Sequence, residues 1–172
     1  RRKMNIRDMQ AMDGNAVVDI YDRALKSGHA SFQQHGGTWA DWDNGHLTKC
    51  RYVALGDAGQ ITGWAGLSAV SGRCAFAGVA EVSVYVDPKC QGQGIGSRLM
   101  QALIEGSEQN GFWSLEAGIF PENTGSVALH RKHGFEVLCR RTGFGRMGYG
   151  PMQGKWRDVL LLERRSKRIG ID

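Results

Sequence analysis

The spacing of apolar residues changes period several times along the chain, and each change predicts an element. Met4 to Met9 alternates Met and Ile with Asn and Arg, which predicts a short first strand. Val17, Ile20, Tyr21, Ala24 and Leu25 follow helical spacing, with Asp13 as N-cap and Gly28 as terminator. Thr38 with Asp41 three residues on predicts the start of a second helix beside Trp39 and Trp42. Tyr52–Leu55 and Ile61–Leu67 read as strands joined by a hairpin over Gly56–Gly59. Phe76–Val86 reads as a longer strand that ends at Asp87–Pro88. Ile95, Leu99, Leu103 and Ile104 put an apolar stripe on a helix over Gln93–Asn110. A strand over Trp113–Ala117 follows, then a helix capped by Asn123 or Thr124 that stops at His133–Gly134. Phe135–Arg141 and Trp156–Glu163 read as the last two strands, separated by a glycine-rich segment from Gly143 to Gly154. Twice a helix lies between two strands in the second half, which predicts an α/β sheet that is parallel in part.

Length and composition narrow this picture. The 172 residues hold no linker and no internal repeat, so one domain over residues 1–172 is expected. The 41% hydrophobic and 23% charged content is that of a globular chain. No apolar run reaches the roughly 18 residues needed to cross a bilayer. Arg1–Lys3 reads as an addition ahead of a start at Met4, with no signal peptide following. Cys50, Cys74, Cys90 and Cys139 are scattered and have no metal-ligand spacing. They read as reduced thiols of a cytoplasmic protein, and no metal is expected. The net charge of +5 belongs to the C-terminal part, where residues 166–172 form a basic tail. Without interleaved aromatics that tail reads as a solvated, frayed end rather than a nucleic-acid site.

Glycine is the compositional anomaly, with 25 residues or about twice the usual share of roughly 7%. Part of the excess is placed by one segment, Val84-Tyr85-Val86-Asp87-Pro88-Lys89-Cys90-Gln91-Gly92-Gln93-Gly94-Ile95-Gly96-Ser97. A strand here runs through a glycine loop into a helix. The unpaired N–H groups of a helix start attract a diphosphate, and glycines let it approach. No Gly-Lys-Ser/Thr follows, so a P-loop is excluded. The glycine spacing does not fit a dinucleotide fingerprint either.

With its preceding Val-x-Val-x-Pro strand, Gln-x-x-Gly-x-Gly resembles the acetyl-CoA motif of the GNAT N-acetyltransferases. The chain resembles most the branch that acts on phosphinothricin, methionine sulfoximine, methionine sulfone or arsinothricin. The resemblance is carried by Gly28-His29-Ala30-Ser31-Phe32, Gly63-Trp64-Ala65, Val79–Val86, Gln91–Gly96, Pro121-Glu122-Asn123 with Ser126, Leu129-His130, Gly134-Phe135 and Gly154–Asp158. It implies an α/β GNAT fold, a mixed sheet of about seven strands splayed between the fourth and fifth, with about four helices.

The same resemblance implies an acetyl-CoA site. Ser83, Val84, Tyr85 and Val86 would line the pantetheine arm, and Asn123 and Ser126 match the family's contacts to that arm. Gln91, Gly92, Gln93, Gly94, Ile95, Gly96 and Ser97 would hold the diphosphate. The family's base maps onto Glu81, which shares a strand face with Ser83 and Tyr85. Two roles stay open for Glu81: a base, which needs a carboxyl raised above about 4.3, or an anchor for the substrate ammonium. His130 matches a family histidine discussed in proton transfer, and a structural role stays open beside it. Tyr85 is a candidate acid for the leaving thiolate. Phe32, Arg73, Phe76, Glu81 and Ser83 are the implied substrate contacts. Arg73 would meet an acidic group, and Phe76 stands where many members have tyrosine. The implied activity is acetylation of the α-amino group of a small amino acid analogue, with a homodimer and resistance to a toxic amino acid. Acetylation of another small amine and a non-catalytic acetyl-CoA-binding module are the alternatives.

Overall fold

The computed structural model describes residues 5–172. The expectations for Arg1–Lys3 and for Met4 lie outside the described residues. Seven strands form one sheet: β1 (Asn5–Asp8), β2 (Tyr52–Leu55), β3 (Ile61–Ala69), β4 (Val79–Val86), β5 (Ser114–Ile119), β6 (Glu136–Arg146) and β7 (Trp156–Arg165). Their spatial order is β1-β2-β3-β4-β5-β7-β6. All neighbours are antiparallel except β4 and β5. Helices α1 (Gly14–Leu25) and α2 (Trp39–Gly45) cover one face, and α3 (Ile95–Gln109) and α4 (Thr124–Lys132) the other.

The apolar stripes explain the layering. Ile95, Leu99, Met100 and Leu103 of α3 are buried on Ala65, Leu67, Ala80, Val82 and Leu115 of the sheet. Each large side chain so buried contributes about 1.5–3 kcal/mol. On the opposite face Val17 and Ile20 of α1 meet Trp42, Val53 and Trp64. Aromatic rings fill that layer, with Trp64 edge-on to Trp42 at 5.1 Å and stacked on Tyr85 at 5.0 Å.

β4 and β5 pair over only three residues each, Val79–Glu81 with Ser114–Glu116. Beyond that, β4 stays with β3 as far as Val86, while β5 stays with β7 as far as Ile119. The two halves of the sheet therefore part after Glu81 and Glu116. The facing edges beyond that point lack strand partners, and unpaired backbone groups there are open to a ligand.

Several boundaries differ from the sequence expectation, each for a local reason. Phe76 is not in β4, because Cys74–Phe76 form a 3-10 turn and the strand starts at Val79. Gly78 lies under the Trp113 ring, where a Cβ would come within 2.1 Å of it. Helix α3 starts at Ile95 rather than Gln93, since Gly94 has φ +77° and stands outside the helix as its N-cap. Asp13 precedes α1 but makes no side-chain cap. Its carboxylate instead binds Arg7 at 2.8 and 2.9 Å and the Gln10 N–H at 2.7 Å. Thr38 and Asp41 do form the reciprocal cap expected of α2.

The glycine-rich segment is a tight, packed turn. Gly143 to Arg146 extends β6, and Met147 and Tyr149 are buried against Phe120 and Val159. Gly28 and Gly150, both at positive φ, lie back to back, and a Cβ on Gly150 would sit 3.2 Å from the Gly28 Cα. The basic end is not frayed. Glu108 accepts from Arg164 at 3.1 Å and from the Ser166 hydroxyl at 3.1 Å. Arg165 donates to the carbonyls of Trp113, Ser166, Ile169 and Gly170.

Candidate active site

The parting of β4 and β5 opens a cleft of about 1410 Å³. Its lining brings together Glu81, Ser83, Val84, Tyr85, Val86, Gln91, Gly92, Gly94, Ile95, Gly96, Ser97, Asn123, Ser126, His130 and Phe32. Of the residues singled out in the sequence, Gln93, Arg73 and Phe76 stand outside it. Gln93 is an exposed residue between the two positive-φ glycines of the loop. Arg73 and Phe76 are exposed in the connection between β3 and β4.

One end of the cleft is made for an anion. Gly92 and Gly94 both take positive φ, and a Cβ on either would meet no protein atom within 4 Å. Gly94 makes no side-chain cap, so the first N–H groups of α3, on residues that line the cleft, have no side-chain acceptor from the cap. Arg23 binds Asp87 at 2.6 Å and ties α1 to the start of this loop. The Ser97 hydroxyl is 2.7 Å from Nε2 of His133, the residue that ends α4. Burial, then Lys132 and Arg164, lower the His133 pKa and favour its neutral form. The wall continues along α4. Asn123 caps that helix through Ser126 N–H at 3.3 Å and donates to the His29 carbonyl at 3.3 Å. His130 is buried, and its Nδ1 lies 2.7 Å from the Ser126 carbonyl. A carbonyl only accepts, so Nδ1 carries the hydrogen and Nε2 is an acceptor. Burial lowers the His130 pKa, which favours that neutral form.

The other end holds titratable groups. Glu81 is open to the cleft, yet the protein around it displaces enough water to raise its carboxyl above the ordinary value, and Glu116 adds to the rise. Tyr85 packs between Trp64 and Tyr21, with Tyr21 at 4.7 Å. Burial, then the neighbouring Tyr21, raises its pKa so that the phenol keeps its proton. Phe32 is edge-on to Phe120 at 4.9 Å and rests on Gly145, where a Cβ would come within 2.7 Å of its ring.

Sequence reasoning singled out neither Glu116, Arg141 nor His46 as site residues, and all three line the cleft. It also missed the support of the Phe32 wall. Arg157 is fully buried and lies 3.6 Å over the Phe120 ring. It donates to the Gly28 carbonyl at 2.6 Å and reaches His29 Nδ1 at 3.1 Å and Glu122 at 3.4 Å. The run Gly154–Asp158 carried a signal for it, but only as part of a resemblance. Arg141 stacks on Phe144 at 4.9 Å, and among the described residues it has no carboxylate partner.

A diphosphate cradle beside an unpaired strand edge fits acetyl-CoA: the bare glycines and free helix N–H groups suit the diphosphate, and the β4 edge suits the pantetheine amides. The family model of the acetyltransferase (GNAT) family matches residues 15–135. The chain is 35% identical over 165 residues to YwnH of Bacillus subtilis, covering 94% of this chain and 98% of that protein. It is 30% identical over 165 residues to the L-methionine sulfoximine/L-methionine sulfone acetyltransferase of Pseudomonas aeruginosa, covering 92% of each. The structure of a phosphinothricin acetyltransferase from Sinorhizobium meliloti in complex with acetyl-CoA superposes with a TM-score of 0.81. Its identity is 28%, covering 94% of this chain and 88% of that one. The chain therefore belongs to the GNAT acetyltransferase family, with acetyl-CoA as co-substrate. Within that family it is an acetyltransferase of the phosphinothricin and methionine sulfoximine branch. Among the described residues no helix is long and apolar enough to cross a membrane, and no His, Cys, Asp and Glu cluster is fit to hold a metal.

Proposed function

We propose that this protein acetylates the α-amino group of a small amino acid that carries a second acidic or tetrahedral group. Phosphinothricin, arsinothricin, methionine sulfoximine and methionine sulfone are of this type. One observation carries the reading: a carboxylate at the apex of the splay and a guanidinium without a carboxylate partner among the described residues share one cleft. Glu81 receives the ammonium end, and Arg141 attracts the acidic end. Arg73, outside the lining, is then a weaker contact.

Acetyl-CoA supplies an acetyl group activated as a thioester. Gly92, Gly94, Gly96 and the α3 N-terminus hold its diphosphate, and the β4 edge from Ser83 to Val86 orients its arm. Glu81 removes the proton from the acceptor ammonium, directly or through water, because its raised pKa makes it a better base than an ordinary glutamate. Tyr85 keeps its proton on Oη and acts as a hydrogen-bond donor to the leaving group. His130 presents Nε2 as a second proton acceptor. Transfer to the amine is direct, since Cys90, the cysteine in the cleft lining, stands on the diphosphate side rather than beside Glu81.

The test is thiol release from acetyl-CoA with these four amino acids, polyamines and ordinary amino acids. Turnover confined to these four amino acids is expected. Turnover of a polyamine alone would move the protein to another amine. Acetyl-CoA binding without turnover of any acceptor would make it a binding module.

We further infer a homodimer formed through the outer edge of the sheet. Leu138, Phe144 and Trp156 are 52%, 54% and 66% exposed there, a costly patch for a monomer. Sedimentation at micromolar concentration distinguishes the two states. Four free thiols suit a reducing cytoplasm, and resistance to a toxic analogue is the expected phenotype on expression in a sensitive bacterium.

A further inference from the structure

The parallel pairing of β4 and β5 is short, and its last step sets Glu81 directly beside Glu116. Residues opposite each other in a sheet share a face, so both carboxylates project to the same side. Burial agrees, since their neighbours Ala80, Val82, Leu115 and Ala117 all enter the core under α3. Both glutamates line the cleft. The salt bridges of the cleft walls go elsewhere, Arg23 to Asp87 and Arg157 to Glu122. Among the described residues neither Glu81 nor Glu116 has a cationic partner.

We propose that Glu116 is a positioning residue of the acceptor site: beside Glu81 at the point where the strands part, it strengthens that carboxylate as a base. This rests on the reading of Glu81 as the base. Two carboxylates side by side resist losing both protons, and this holds a carboxyl above its ordinary value. The raised Glu81 carboxyl agrees, with burial as the larger cause and Glu116 as the second. The step is a single proton transfer from the ammonium nitrogen to a Glu81 carboxyl oxygen, which leaves the neutral amine with the lone pair that attacks the thioester.

Other groups face the pair. Tyr21 on α1 and Tyr85 on β4 border Glu81, and Tyr149 in the turn after β6 acts on both tyrosines. Glu163 on β7 is the register partner of Glu116 on its other side. His46 after α2 and Arg141 on β6 line the same cleft. The tyrosines keep their protons, and burial, the largest cause, keeps His46 neutral at pH 7. The row continues to Glu136 on β6, the register partner of Glu163, and of these four glutamates Glu116 is the one paired with Glu81.

The experiment is the pH dependence of kcat/KM for wild type, Glu81→Gln, Glu116→Gln and Glu116→Asp. Acetyl-CoA is saturating, and the acceptor is phosphinothricin or L-methionine sulfoximine, whichever turns over. In Glu116→Gln the acid limb is expected to move to lower pH by about one unit, tenfold in the proton affinity of Glu81. Glu116→Asp keeps the charge and is expected to move it less. An acid limb in both Glu116 variants that coincides with wild type would overturn the proposal and leave the role of Glu81 intact. Wild-type rates for Glu81→Gln would remove the base itself, and the pairing with it. Should Glu116→Gln not fold, Glu116→Ala supplies the neutral side chain: an acid limb moved to lower pH supports the pairing and coincidence with wild type refutes it.

Discussion

Replacing Arg157 by Met keeps most of the side chain's volume and removes its charge and its fork. Several effects of opposite sign then compete. The buried Gly28 carbonyl loses a 2.6 Å partner, and an orphaned buried acceptor costs about 1–3 kcal/mol. The guanidinium stack on Phe120 at 3.6 Å is desolvated, and its loss costs about 2 kcal/mol. The contact to Glu122 is long and that carboxylate is half-exposed, so it counts for little. Against these, Arg157 Nε is buried without a partner, and its removal recovers about 1–2 kcal/mol. The net is about 2–3 kcal/mol of lost stability. At about 2–4 °C per kcal/mol for a chain of this size, Tm falls by about 4–12 °C. The segment Gly28–Phe32 should loosen with it, because its anchor at Gly28 and His29 is gone. Calorimetry reads the first effect, and KM reads the second: acceptor KM rises while acetyl-CoA KM stays. An unchanged Tm would refute the reasoning, since it would mean that the buried charge costs as much as its contacts contribute.

Gly94→Ala forces an L-residue into φ +77° at about 1–2 kcal/mol and adds a methyl to the diphosphate cradle. Tm should fall by about 2–8 °C, and acetyl-CoA KM should rise about tenfold with acceptor KM unchanged. Arg141→Ala should raise the acceptor KM by about tenfold or more, against a smaller change for Arg73→Ala. The reverse order in steady-state kinetics would return the acid contact to Arg73. Glu81 has a raised pKa in the folded state, so between its unfolded and folded values the native protein holds the extra proton, and stability falls as pH rises through that window. Activity runs the other way, because the base must be ionised. Glu81→Gln should therefore lose most of kcat/KM while its Tm at pH 7 is equal to or above wild type. Gly78→Ala drives a methyl into Trp113 and should cost about 1–3 kcal/mol, visible as a lower urea midpoint.

The local pattern of the chain determined most elements, because helix and strand periods are properties of a few consecutive residues. It placed the stripe of Ile95, Leu99 and Leu103 and the Thr38–Asp41 cap. It also placed the glycine loop that opens α3, since an anion cradle is built from adjacent backbone N–H groups. Where a boundary depended on a distant partner, the pattern fell short. β4 starts at Val79 because Trp113 covers Gly78, and the basic end is held because Glu108 faces it across the fold. The same division runs through the site. Glu81 and the residues proposed to hold acetyl-CoA lie in continuous segments that a sequence can single out, and all of them but Gln93 line the cleft. Glu116 and Arg141 carry no local signal, because only strand register and sheet order bring them to the cleft. Arg73 lies close to Glu81 in sequence but on the far side of a turn, where the tertiary structure leaves it outside the lining. Residue types and short spacings are written along the chain. Which carboxylate meets which, and which cation faces the cleft, depends on pairings between residues tens of positions apart, and these exist only once the sheet has formed and parted.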